Sequence, residues 1–144
     1  PLILEEYFAG RTRASGILFG RNGAVKRQFS VEMQGTKTSG GITLEEDFIF
    51  SDGEKQHRTW VVKKIDNNTY HGTAGDVVGT AVGRQFGSAL NWSYVLRVPV
   101  DGKTYDITFD DWMFLQPDGV LLNRATMKKF GFKVGELFIA FRRE

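Results

Sequence analysis

Four glycine dipeptides punctuate this chain: Asn22-Gly23, Asp52-Gly53, Asp101-Gly102 and Asp118-Gly119, the last preceded by Pro117. Each lies between stretches in which apolar and polar residues alternate. Asn-Gly and Asp-Gly accept the positive φ angles of tight hairpin turns, and alternation sends successive side chains to opposite faces of a strand. A chain built this way folds as a series of antiparallel hairpins, each with one apolar and one wet face.

The turns also predict which residues face each other. Around Asn22-Gly23, Gly16 meets Phe29, Ala14 meets Val31 and Thr12 meets Met33. Around Asp52-Gly53, Phe48 meets His57, Glu46 meets Thr59 and Leu44 meets Val61, with Asp47 and Arg58 paired on the wet face. Around Asp101-Gly102, Val98 meets Tyr105, Leu96 meets Ile107, Tyr94 meets Phe109 and Trp92 meets Asp111. If Pro117-Asp118-Gly119 closes with Leu115 opposite Val120, then Met113 meets Leu122, Asp111 meets Arg124 and Phe109 meets Thr126. A carboxylate and a guanidinium then share the apolar face beside Trp92, an arrangement costly to bury unless matched and hydrogen-bonded.

Nine or ten short strands and no convincing long helix fit an up-and-down antiparallel barrel, with a β-sandwich as the alternative. The 144 residues, 41% of them hydrophobic, make one domain spanning 1–144. Leu2 to Phe8 is a short apolar lead-in suited to closing one barrel end. Gly75, Gly79, Gly83 and Gly87 recur at a spacing of four. They lack the Gly-Lys-Ser/Thr of a phosphate loop, and Asp76, Arg84 and Gln85 interrupt any membrane-helix motif, so they mark a strand bent by glycine or, on a sharper reading, a mobile portal.

Several functions are disfavoured. The 19 basic and 17 acidic residues are scattered, giving a net charge of +2 without a basic stripe, so nucleic acid is not an expected partner. Cysteine is absent, which removes thiol catalysis, disulfides and thiolate metal sites. With only His57 and His71, a metal site would need carboxylates such as Glu46, and neither a metal nor a cofactor is expected. No Gly-x-Ser-x-Gly elbow is present. No run approaches the roughly twenty apolar residues that span a bilayer as a helix, which leads to the expectation of a soluble chain from which an upstream segment has been removed.

The segments LEEYFAGRTRASG, GTAGDVVGTAVG, LNWSY and FDDWMFLQPDGVLLNRATMKKFGFKVGE resemble the bacterial family called domain of unknown function 3833 over nearly the whole chain. The resemblance implies a Gram-negative envelope protein, often a lipoprotein, with a calycin-like barrel. It also implies a periplasmic or membrane-anchored location through a lipid-bearing segment upstream of this chain. The family has no established activity, so no catalytic residue is carried over.

Together these features predict a non-enzymatic barrel binding an apolar or amphipathic molecule, such as a fatty-acyl lipid. Phe29, Phe48, Trp92, Tyr94 and Phe109 would line it, with Arg124 and Asp111 orienting a carboxylate or phosphate head group. The alternatives are a lipid-modifying or isomerising enzyme using Asp111, Glu46 or His57, and a filled barrel acting as a scaffold.

Overall fold

Five of the hairpin turns fall into two kinds, and the difference sets the register of the strands they join. In the computed structural model, which describes residues 1–144, Asp101 and Gly102 both have positive φ (51° and 79°), as do Phe130 and Gly131 (52° and 80°). These are two-residue turns of the mirror-image type. At the other three glycine turns only the glycine is left-handed, at 85° for Gly23, 91° for Gly53 and 88° for Gly119. There the loop has three residues: Phe50 N–H donates to Glu54 O at 2.9 Å, and Gln116 N–H to Val120 O at 2.8 Å.

Ten strands result: β1 (Gly10–Gly20), β2 (Val25–Thr38), β3 (Gly41–Phe50), β4 (Lys55–Asp66), β5 (Thr69–Thr73), β6 (Val77–Phe86), β7 (Ala89–Val100), β8 (Lys103–Leu115), β9 (Leu121–Lys129) and β10 (Phe132–Arg143). Each pairs antiparallel with its sequence neighbour, and β1 pairs with β10 to close the barrel. Closure removes the sheet edges that a sandwich would leave.

Two predicted registers hold. The β7–β8 pairs are those read from the sequence, including Trp92 with Asp111. The β1–β2 pairs hold as well, because the extra loop residue is offset by a bulge between Leu18 and Phe19. Two others are displaced by one residue, since the loops Ser51-Asp52-Gly53 and Pro117-Asp118-Gly119 each hold three residues. Glu46 therefore faces Arg58 rather than Thr59, and Leu44 faces Trp60. Asp111 faces Ala125, while Arg124 faces Trp112. With a side-chain period of two, a one-residue slip exchanges the faces of an entire strand.

The lead-in forms a single helical turn, α1 (Leu4–Tyr7), which plugs one end of the barrel. Leu2, Leu4, Tyr7 and Phe8 are buried in one cluster with Ile42, Val62, Leu90, Leu121 and Phe141, and Phe8 meets Phe141 edge-on. Glu5 ties the plug to the wall, accepting from Lys64 Nζ at 2.8 Å and from the Tyr70 hydroxyl at 2.6 Å. Gly35 is required beneath it, because a Cβ there would lie 1.8 Å from the Phe8 carbonyl oxygen.

The glycine-rich strand β6 bends as expected. Gly79 sits at φ 68°, and the pairing with β7 shifts between Val78 and Val82. Gly83 has a separate role: the Trp92 ring lies on it, with Cε3 only 2.4 Å from where a Cβ would be.

Candidate functional site

Above the plug, inward side chains form a layer of rings topped by a polar layer. Trp60 meets Trp92 edge-on with centroids 5.4 Å apart and Tyr94 at 5.3 Å, and Tyr94 stacks on Phe109 at 5.0 Å. Phe29 and Phe48, 6.0 Å apart, lie nearer the open end. Between these groups is a cavity of about 110 Å³, comparable with the engineered cavity of about 150 Å³ that accepts benzene. Its wall includes Phe29, Phe48, Trp60, Trp92 and Tyr94, with Glu46, Arg58, Asp111 and Asn123 as its charged and amide groups.

The sequence-predicted residues divide between the two faces. Phe29, Glu46, Phe48, Trp92, Tyr94 and Asp111 border the cavity, and Phe109 backs it through Tyr94. Arg124 does not belong to the site: it is on the outer wall, 71% exposed, and donates to Glu136 at 2.9 Å. The expected Asp111–Arg124 pair is absent because β9 presents Asn123 and Ala125 inward instead. His57 is likewise outside, held between Asp47 (Nδ1–Oδ1, 2.6 Å) and Glu45 (Nε2–Oε2, 2.7 Å). Those carboxylates raise its pKa through hydrogen bonds, Asp47 most of all. Glu46 and His57 therefore cannot share an active site or a metal.

The slip that removes His57 brings in Arg58, the residue that sequence reasoning placed on the wet face. Its side chain is 15% exposed and forms a bidentate pair with Asp76, Nε to Oδ1 at 3.1 Å and Nη2 to Oδ2 at 2.9 Å. Its Nη1 stands 3.8 Å from Glu46 Oε1. Burial would lower the guanidinium pKa, but the Asp76 hydrogen bond and the Glu46 charge more than offset it. Trp60 and Asn123 were missed for the same reason as Arg58.

The Arg58–Asp76 pair also spans a discontinuity in the wall. The short β5 pairs with β4 only from Val61 to Asp66, and with β6 only from Ala81 to Arg84. The residues Lys55–Trp60 of β4 and Val77–Thr80 of β6 thus face one another without a strand between them. The Arg58–Asp76 pair ties β4 to the segment leading into β6, and Arg58 borders the cavity.

Burial dominates the electrostatics. It raises the Glu46 pKa to about 7, against the lowering effects of the Arg58 charge and a hydrogen bond from the Trp60 indole. Asp111, 6% exposed, is pushed well above the usual carboxylate range, first by burial and then by the Asp110 and Glu46 charges. Its Oδ1 has no hydrogen-bond partner. Burial, followed by the Asp111 charge, raises Tyr94 well above the ordinary phenol. Carboxyls held neutral or near their midpoint can both donate and accept hydrogen bonds.

Fold and site together define a closed ten-stranded barrel, plugged at one end, with a small aromatic cavity containing acidic groups. The chain belongs to the family described as Protein of unknown function (DUF3833), whose profile matches residues 1–143. No curated protein sequence matches it. Among solved structures, an S-type phycobiliprotein lyase from Guillardia theta is similar over 97% of this chain and 90% of its own, with a TM-score of 0.65 and 11% identity. A protein of unknown function from the DUF3598 family of Nostoc punctiforme is similar over the full length of this chain, with a TM-score of 0.67 and 12% identity, and the chain spans 50% of that protein. A redesigned β-barrel bound to DFHBI, mFAP1, matches with a TM-score of 0.49 and 11% identity, over 96% of this chain and 97% of its own. At these identities the likeness is one of fold.

Proposed function

We propose that this protein is a non-enzymatic binding barrel that holds a small apolar or amphipathic molecule in the cavity beneath Phe29 and Phe48. The single observation that carries this reading is the cavity itself: about 110 Å³ bordered mainly by aromatic and aliphatic side chains. Well-packed cores leave few voids larger than a water, and apolar lining with a few convergent polar groups is the pattern of a ligand site. A ring or short alkyl segment fits this volume. The remainder of a longer, fatty-acyl-like chain would leave past Asp76 or between Phe29 and Phe48.

The family resemblance supports a place in the bacterial envelope, with membrane association through a lipid-bearing segment upstream of Pro1. Cell fractionation of the full-length protein tests this, and recovery in the cytosol would refute it. Native mass spectrometry of protein purified from its host tests the binding reading. A retained, releasable organic mass is expected, and a chain that neither arrives loaded nor takes up any small apolar probe would overturn it.

One observation favours a second reading as an enzyme. Glu46, with a pKa of about 7 beside an apolar cavity, is poised as a general acid or base. Incubating the retained molecule with fresh protein separates the readings, because an enzyme converts it and a carrier returns it unchanged.

A further inference from the structure

The acidic groups around the cavity are not balanced by an available cation. Glu46 enters from β3 and Asp111 from β8, with Asp76 just before β6 paired to Arg58. Arg58, from β4, is the cation bordering the cavity, and both edges of its guanidinium are engaged, one bidentate with Asp76 and one toward Glu46. From β7 comes the neutral phenol of Tyr94. Asp110, next in sequence to Asp111, points outward and accepts from Asn91 Nδ2 at 2.8 Å. Asn123 uses its amide on the Trp112 carbonyl at 3.4 Å, and Asp111 Oδ1 is left buried without a donor.

We propose that the molecule held in this barrel carries a basic nitrogen, an ammonium or other cationic amine on a short apolar body, received by Asp111 and Glu46 within the ring of Trp60, Trp92, Tyr94 and Phe48. This rests on the binding reading above and names its ligand class. A buried carboxylate without a partner is costly, whereas a bound cation supplies both the missing hydrogen-bond donor and the missing charge. Aromatic faces around a desolvated cation add attraction through their quadrupoles. An anionic head group would meet no free cation and would bring more negative charge to a site already rich in acid.

Without a cation, the surplus is relieved by protonation, and burial holds both carboxyls above their ordinary range. Taking up an ammonium therefore displaces protons, so affinity for it rises with pH through the range in which Glu46 titrates.

Isothermal titration with hexylamine, hexanoate and hexanol tests the proposal, since the three share one chain and differ in the charge of the head. At pH 8 hexylamine is expected to bind at least about tenfold more tightly than hexanoate, the equivalent of one pKa unit of charge preference. The ratio should narrow at pH 5. Titrations in buffers of different ionisation enthalpy should show proton release with hexylamine and none with hexanol. Asp111→Asn should weaken hexylamine by a larger factor than it weakens hexanol; should that variant not fold, the pH series on the unaltered protein decides the matter. Hexanol binding with hexanoate equal to or tighter than hexylamine would overturn the cationic class while sparing the cavity reading. Binding of none of the three would overturn both.

Discussion

Replacing Glu46 with glutamine should change stability at one pH and not at another. In the folded chain the Glu46 carboxyl titrates at about 7 rather than at its ordinary 4.5. At about 1.4 kcal/mol per pKa unit, that difference makes the ionised side chain cost the fold about 3 kcal/mol. The side chain is 12% exposed, so little of that figure is lost to solvent screening. Because the folded pKa is raised, the folded state binds the proton more tightly than the unfolded state. Below pH 4.5 both states hold the proton and no cost appears. As pH rises from 4.5 to 7 the unfolded chain releases its proton first and stability falls, and above 7 the full cost remains. Glu46→Gln, which is never charged, should therefore match the parent near pH 4 and exceed it by about 2 to 3 kcal/mol at pH 8, a difference that already includes the attraction to Arg58. Urea denaturation followed by tryptophan fluorescence at the two pH values measures this. If Glu46→Gln destabilised the protein equally at pH 4 and pH 8, Glu46 would be a satisfied ion-pair partner and not a strained acid, and the account of the polar layer would fail.

Two further changes probe the wall. Gly83→Ala drives a Cβ to 2.4 Å from Trp92 Cε3 and 2.6 Å from Cζ3; overpacking of this kind costs about 1 to 3 kcal/mol, while Gly75→Ala, with nothing within 4 Å, should be nearly silent in the same denaturation experiment. Arg124→Ala removes an exposed guanidinium whose partner is Glu136. It should alter stability by roughly 0 to 1 kcal/mol and leave hexyl-probe affinities unchanged, an outcome that a buried Asp111–Arg124 pair could not give.

How far the sequence could be read depended on its turns. Asp101-Gly102 is a true two-residue turn, so Trp92, Tyr94, Phe109 and Asp111 were placed on the correct face. Around Asn22-Gly23 the predicted pairs survive because a bulge at Leu18–Phe19 compensates for a longer loop, an offset that no local signal announces. Pro117, by contrast, did carry a signal. Its ring fixes φ near −65°, which starts a type I turn and is incompatible with the positive φ required at the first position of a mirror-image turn. Pro117-Asp118-Gly119 could thus have been read as three residues ending in a left-handed glycine, which would have moved Arg124 outside. Ser51-Asp52-Gly53 has no such marker, because Asp-Gly suits either turn. The discontinuity bridged by Arg58 and Asp76 depends on β5 being only five residues long, and the glycines from Gly75 to Gly87 signalled a bent strand there without marking where β5 ends.

These two slips of one residue determine what kind of molecule the barrel can receive. The interior expected from sequence holds Glu46, His57, Asp111 and Arg124, in which a guanidinium opposite a carboxylate can turn toward a carboxylate or phosphate ligand. The interior observed holds Glu46, Arg58, Asp111 and Asn123. Here the guanidinium is committed to Asp76, and what remains unsatisfied is an acid. One extra residue in each of two surface loops thus exchanges an anion-receiving cavity for one that favours a cation, and turns Trp60 inward to complete the aromatic wall. Loop length at Ser51–Gly53 and Pro117–Gly119 is therefore a determinant of ligand charge even though no residue of either loop touches the cavity, and a relative with a two-residue loop at both places would be expected to present the opposite preference on the same barrel.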